Sequence, residues 1–153
     1  FLTKMVEIGE QAPDFALQDQ DGNERRLSEF LGRNLVIAFY PFDFSSVCTT
    51  EFDCFQDDLN ELNNLGARVI GISVDSKHSH KEFSSKLGLK FPLLSDFGKE
   101  VCKLYGTLRH EGFSNRAYFI VDKKGIVRFK YVMPTPKDRL DNKRLIRELK
   151  NII

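Results

Sequence analysis

Residues 34–51 constrain this chain more than any other stretch. Leu35, Val36, Ile37, Ala38, Phe39 and Tyr40 are continuously apolar, which reads as a buried central strand. Pro41 has no amide hydrogen and stops that strand. A short loop with Asp43, Ser45 and Ser46 follows, and a helical pattern begins near Cys48. A buried strand running through a short loop into a helix points to an α/β architecture rather than a helical bundle or a β-sandwich.

The rest of the chain extends that pattern. Residues 14–17 and 24–27 read as two arms of a hairpin, with Asp21-Gly22 as the turn. Residues 46–65 read as a helix, because Phe52, Phe55, Leu59 and Leu62 recur on one face. Residues 67–74 form a second continuously apolar strand, 76–87 a helix ending at Gly88, 91–94 a short strand and 99–104 a helical turn or two. Residues 118–121 and 127–132 read as strands joined by a turn at Asp122-Lys-Lys-Gly125. Thr135-Pro136-x-Asp138 resembles a helix start, followed by a buried stripe of Leu145, Leu149 and Ile152. The expected result is one domain over 1–153, a mixed sheet with helices on both faces and an N-terminal β-hairpin extension.

Composition narrows the function classes. The 153 residues are 41% hydrophobic, enough for a real core, and the net charge of +1 gives no electrostatic case for nucleic acid or an acidic membrane. The apolar runs are strand-length, short of the ~20 residues a membrane helix needs. The N-terminal stretch is too short for a signal peptide, and residues 1–4 ahead of Met5 read as an expression remnant or an extension. Three cysteines form no framework and no zinc spacing with His78, His80 or His110. A reducing cytoplasm with reactive thiols is the expected setting. His78 and His80 read as surface residues in a charged stretch.

Cys48 carries the chemistry. A thiol at a helix N-terminus meets unpaired amide groups and the helix dipole, which favour the reactive thiolate. The spacing Pro41-x-x-x-Ser45-x-x-Cys48 resembles the active-site signature of the peroxiredoxins. The likeness extends to Val6-Glu-Ile-Gly9-Glu-Gln-Ala-Pro13-Asp14-Phe15, to Gly71-Ile-Ser-Val-Asp75 and to Arg116-Ala-Tyr-Phe-Ile-Val-Asp122. The Val47-Cys48-Thr49-x-Glu51 wording is most similar to the bacterioferritin-comigratory and AhpE-like branch.

The resemblance implies a thioredoxin-like fold and a thiol-dependent peroxidase acting on hydrogen peroxide and alkyl hydroperoxides. Cys48 would be the nucleophile and would become a sulfenic acid. Ser45 would hydrogen-bond the thiolate or the peroxide, at a position where the family usually has threonine; a helix N-cap is its plainer role, with Ser46 as a rival cap. Pro41 would shape and shield the loop. Arg116 would stabilise the thiolate and the developing charge, and Glu51 would hold Arg116. Neither the residues nor the resemblance calls for a cofactor or a metal. The implied partners are a peroxide, a thiol reductant (a thioredoxin-like protein or a small thiol) and a second copy in a homodimer.

The second thiol stays open. Many members of the branch have a resolving cysteine five residues after the nucleophile; here that position is Asp53, and Cys54 lies at six. Six helical residues rise ~9 Å, beyond the ~4.4–6.8 Å between Cα atoms that a disulfide wants, so Cys54 requires the helix to unwind. Cys102 and an external thiol are the other candidates. Phe42 and Phe44 line an entrance, form a dimer contact, or pack under the loop. A disulfide reductase lacks its Cys-x-x-Cys here, and a redox-sensing or chaperone-like protein of the same fold is the remaining alternative.

Overall fold

The computed structural model describes residues 6–152; residues 1–4 and Met5 lie outside that range. The order is β1 (Ala16–Gln18), β2 (Glu24–Arg26), α1 (Leu27–Phe30), β3 (Asn34–Phe39), α2 (Ser46–Asp57), α3 (Leu59–Asn64), β4 (Ala67–Ser73), α4 (Lys77–Leu87), β5 (Leu93–Ser95), α5 (Glu100–Leu104), β6 (Ala117–Val121), β7 (Val127–Val132) and α6 (Asn142–Ile152). Seven strands form one sheet in the order β2-β1-β5-β4-β3-β6-β7. β3 pairs parallel with β4 and antiparallel with β6, so the sheet is mixed. The hairpin of β1 and β2 joins the edge through β5. This is the thioredoxin-like α/β fold the sequence predicts.

Every residue of β3 and of β6 is buried. Successive side chains of a strand point to opposite faces, so these strands feed two cores. Val36, Ala38 and Tyr40 join Phe52, Phe55, Tyr118, Leu145 and Leu149 on one face. Leu35, Ile37 and Phe39 join Phe30, Cys102, Tyr105 and Phe119 on the other. The predicted stripe of Phe52, Phe55, Leu59 and Leu62 is buried against the sheet. Gly71 makes that packing possible: a Cβ there would stand 2.9 Å from Leu93 Cδ2 and 3.1 Å from Phe52 Cζ. Among the described residues no helix is long and apolar enough to cross a membrane.

Two expectations are corrected. The helix over 46–65 breaks at Asp58 into α2 and α3. The C-terminal helix does not start at Thr135-Pro136 but at Asn142. The intervening segment is a strap whose polar groups bond elsewhere: the Pro136 carbonyl accepts from Arg116 Nε at 3.1 Å, and the Leu140 amide donates to the Tyr118 hydroxyl at 3.2 Å. Tertiary partners take the groups a helix would have used.

Candidate active site

The site forms where β3 ends. Tyr40 and Pro41 are buried, the chain turns through residues 42–44, and Ser45 caps α2 with extended geometry (φ −65°, ψ 149°). Its Oγ accepts from the Cys48 amide at 3.4 Å. Ser45, not Ser46, is therefore the N-cap, and Cys48 is the third residue of the helix. The antiparallel register sets Phe39 opposite Ala117. That brings the residue just before β6, Arg116, to the same end of the sheet as the loop. Arg116 shares its parity with Tyr118 and Ile120, the β6 residues that face α2.

Arg116 is 1% exposed and every guanidinium nitrogen has a partner. Nη2 donates to Cys48 Sγ at 2.9 Å, Nη1 to Glu51 Oε1 at 2.7 Å, and Nε to the Pro136 carbonyl. The Tyr118 hydroxyl donates to the other Glu51 oxygen and accepts from the Leu140 amide. Three elements far apart in sequence are thus locked around one sulfur. The arginine's planar fork lets it hold a carboxylate and a sulfur at once. Over the first turn of α2 lies an open cavity of about 300 Å³, lined by Ser46, Val47, Thr50, Lys137 and Arg139.

The electrostatics correct one expectation. Burial pushes the Cys48 thiol up, while the Arg116 charge and the Ser45 hydroxyl pull it back without cancelling the rise. The sequence predicts the opposite net direction, from the helix N-terminus. Two things intervene. Cys48 is fully buried, and its own amide is occupied by Ser45. Glu51 also shares the guanidinium, so the thiolate competes with a carboxylate for one positive charge. Burial likewise raises the Glu51 carboxyl against the pull of Arg116, and it raises the Tyr118 hydroxyl.

Ser45, Cys48, Glu51 and Arg116 are therefore brought together, and Pro41 is buried at the start of the loop that leads to them. The other two cysteines are not with them. Cys54 is half-buried, six residues and less than two turns further along an unbroken α2. Cys102 is fully buried in the core on the opposite face of the sheet. Its amide donates to Asp96 Oδ2 at 2.7 Å, and burial with that carboxylate drives the thiol far up. Phe42 and Phe44 are exposed; Phe42 packs tilted against Phe113 at 5.0 Å between ring centroids, and Phe44 packs edge-on against Phe83 at 5.1 Å.

His80 corrects the reading of the charged stretch. His78 is exposed as expected, but His80 is fully buried, bonded to Asp43 and to the Leu94 carbonyl. Its four-residue spacing from Ser84 and three from Phe83, both buried on α4, was the signal that marked its face. The sequence marks Tyr118 only as a strand residue; its two-residue offset from Arg116 places both on the α2 side.

Comparison with known proteins bears on the family and the fold. The AhpC/TSA family profile matches residues 8–130. A chloroplastic 2-cysteine peroxiredoxin of Chattonella marina var. antiqua is 42% identical over 80% of this chain and 68% of its own length. Chloroplastic peroxiredoxin Q of Oryza sativa subsp. japonica is 43% identical over 82% of this chain and 59% of its own. Among solved structures, AhpC of Mycobacterium tuberculosis superposes with a TM-score of 0.90 at 26% identity, covering 97% of this chain and 94% of that one. Peroxidoxin BcpB of the same organism gives 0.88 at 28% identity, covering 98% and 99%. On the profile match, these identities and the shared fold, the chain belongs to the AhpC/TSA family, as a peroxiredoxin.

Proposed function

We infer that Cys48 is the thiol through which this peroxiredoxin performs the thiol-dependent peroxidase reaction. The observation that carries the assignment is the 2.9 Å contact between Arg116 Nη2 and Cys48 Sγ, with Arg116 itself held by Glu51. The sulfur attacks the terminal oxygen of hydrogen peroxide or an alkyl hydroperoxide. The S–O bond forms as the O–O bond breaks, and the thiol's proton leaves with the departing oxygen as water or alcohol. Arg116 stabilises the negative charge on sulfur and on that oxygen, which is the electrostatic role such donors play best in a dry site. Ser45 orients the loop and hydrogen-bonds the reacting atoms. Pro41 shields the sulfur, and Glu51 with Tyr118 fixes the guanidinium plane.

The sulfenic acid then condenses with a thiol, releasing water and forming a disulfide. Cys54 is the internal thiol we favour, because it is half-buried on the same helix as Cys48; α2 must unwind for the two to meet. Cys102 is set aside, since the sheet separates it from Cys48. A thioredoxin-like protein or small thiol completes the cycle. The reading includes a reducing, cytoplasm-like setting, supported by an odd count of three cysteines with no framework spacing. It includes a homodimer, supported by Phe42 and Phe44 exposed beside the site.

Intact mass after one equivalent of hydrogen peroxide, without reductant, tests the scheme. Loss of two hydrogens in the wild type but not in Cys54→Ser identifies the resolving thiol. Gain of oxygen in both means that an external thiol resolves Cys48. No change at Cys48 in either would overturn the assignment.

A further inference from the structure

The loop that carries Ser45 toward Cys48 is fastened by a buried polar cluster that the chemistry above does not use. Asp43, in the middle of the loop, is 8% exposed. Its Oδ1 accepts from the Tyr40 hydroxyl at 2.6 Å, and its Oδ2 accepts from the Ser79 hydroxyl at 2.8 Å. The same Oδ2 lies 2.8 Å from His80 Nδ1. The Asp43 amide donates to Asp75 Oδ2 at 2.8 Å, and Asp75 in turn accepts from the Ser73 hydroxyl. The other imidazole nitrogen, His80 Nε2, faces the Leu94 carbonyl at 3.0 Å. A carbonyl only accepts, so Nε2 carries a hydrogen. The Tyr40 hydroxyl donates to Asp43 and also lies 3.2 Å from His80 Nδ1, so Tyr40, Asp43 and His80 form one hydrogen-bonded triangle.

The next residue shows why such a fastening is needed. Phe44 has φ +67°, a left-handed conformation that a bulky residue adopts only where its surroundings enforce it. The strained residue sits between Asp43 and Ser45, and α4 holds both the residue before it and its own ring. His80 and Ser79 hold Asp43, and Phe83 packs against the Phe44 ring. Asp43, Asp75 and His80 also bring polar atoms within 4.8 Å of one another, as a metal site does. Both His80 nitrogens are already engaged, however, which makes this a hydrogen-bonded clamp.

We propose that His80, acting through Asp43, is the positioning residue of the reactive loop, holding residues 42–45 in the shape that delivers the Cys48 sulfur to Arg116. His80 touches neither the sulfur nor the arginine. The inference rests on Cys48 being the reacting thiol.

The test uses the full chain with Cys54→Ser and Cys102→Ser, so that Cys48 alone reacts. Two rates are measured, oxidation by hydrogen peroxide and alkylation by iodoacetamide, with thermal melting as a check on folding. His80→Gln keeps a donor near Nε2 for Leu94 but loses the bond to Asp43; His80→Asn keeps a donor near Nδ1 for Asp43. With the clamp lost, the buried sulfur becomes accessible yet misplaced. His80→Gln is expected to oxidise about tenfold more slowly while alkylating about fivefold faster, the scale of one lost charge-assisted hydrogen bond. His80→Asn retains most of both wild-type rates. Loss of core packing alone would affect the two variants alike. Equal shifts in both, or wild-type rates in His80→Gln, overturn the proposal. If neither variant folds, Ser79→Ala decides: alkylation about twofold faster supports the clamp, and an unchanged rate overturns it. Should wild-type Cys48 resist peroxide, the peroxidase assignment fails, while the alkylation pattern still tests the clamp.

Discussion

Cys48 and Cys102 lie under opposite faces of one sheet, and both are fully buried. Burial raises both thiols. Their neighbours differ in sign. Cys48 faces the guanidinium of Arg116, which opposes the rise; Cys102 faces the carboxylate of Asp96, which adds to it. Depth within the fold therefore does not mark a reactive cysteine. What separates the two thiols is the sign of the charge that meets each sulfur.

The contrast breaks most directly by exchanging each sulfur for oxygen. Cys48→Ser is expected to reduce peroxide consumption to background in a coupled thiol assay, and Cys102→Ser to keep the wild-type rate. The reverse pattern would invert the argument.

Removing the charge sharpens it next. Arg116→Ala is expected to slow oxidation of Cys48 by about 10²–10³-fold, the scale of a lost preorganised donor. It also leaves Glu51 buried without its partner, a loss of about 3–5 kcal/mol by urea denaturation. Alkylation of Cys48 then requires a higher pH, because the group that pulls its thiol down is gone. Arg116→Lys recovers little, since an ammonium does not bridge sulfur and carboxylate with a planar fork.

Tyr118→Phe probes the support behind the charge. It strips a donor from Glu51 and an acceptor from the Leu140 amide, a cost of about 1–3 kcal/mol. Oxidation by peroxide is expected to slow several-fold while Cys48 remains alkylated.

The smallest effect belongs to Cys102. Its thiol is raised above the ordinary range by burial and Asp96, so the folded chain keeps this proton longer than the unfolded chain does. The associated stability is complete below the unfolded thiol's pKa, about 8.5, and is lost as pH rises past it. Cys102→Ala removes that loss. Relative to the variant, the wild type is expected to lose about 1 kcal/mol between pH 8.5 and 9.5, read from urea midpoints at each pH.

The fold was largely legible because its central strands are apolar without interruption, and the Pro41-to-Cys48 spacing marked the loop beyond which Cys48 meets Arg116. What failed to show in the sequence depends on partners distant along the chain. Pro136 carries a start signal for a helix, yet its carbonyl binds Arg116 and the helix begins at Asn142. His80 sits among Lys77, His78 and Lys81 and reads as solvated until Asp43, 37 residues away, folds onto it. The direction of the Cys48 shift was missed for the same reason. Local position predicts the helix field, but not the burial or the competing Glu51.

The pairing of Asn34–Phe39 with Ala117–Val121 acts as a gauge for the chemistry. A slip of one residue between two strands carries every side chain to the other face. Inserting a single residue directly after Arg116 would leave the sheet its apolar content and its helices. It would turn the guanidinium toward the side that holds Cys102 and Asp96. Such a protein would match the native one in circular dichroism and in composition and be inert toward peroxide. Accuracy at the sulfur is inherited from peptide groups that take no part in the reaction, and no side-chain substitution nearby would restore it.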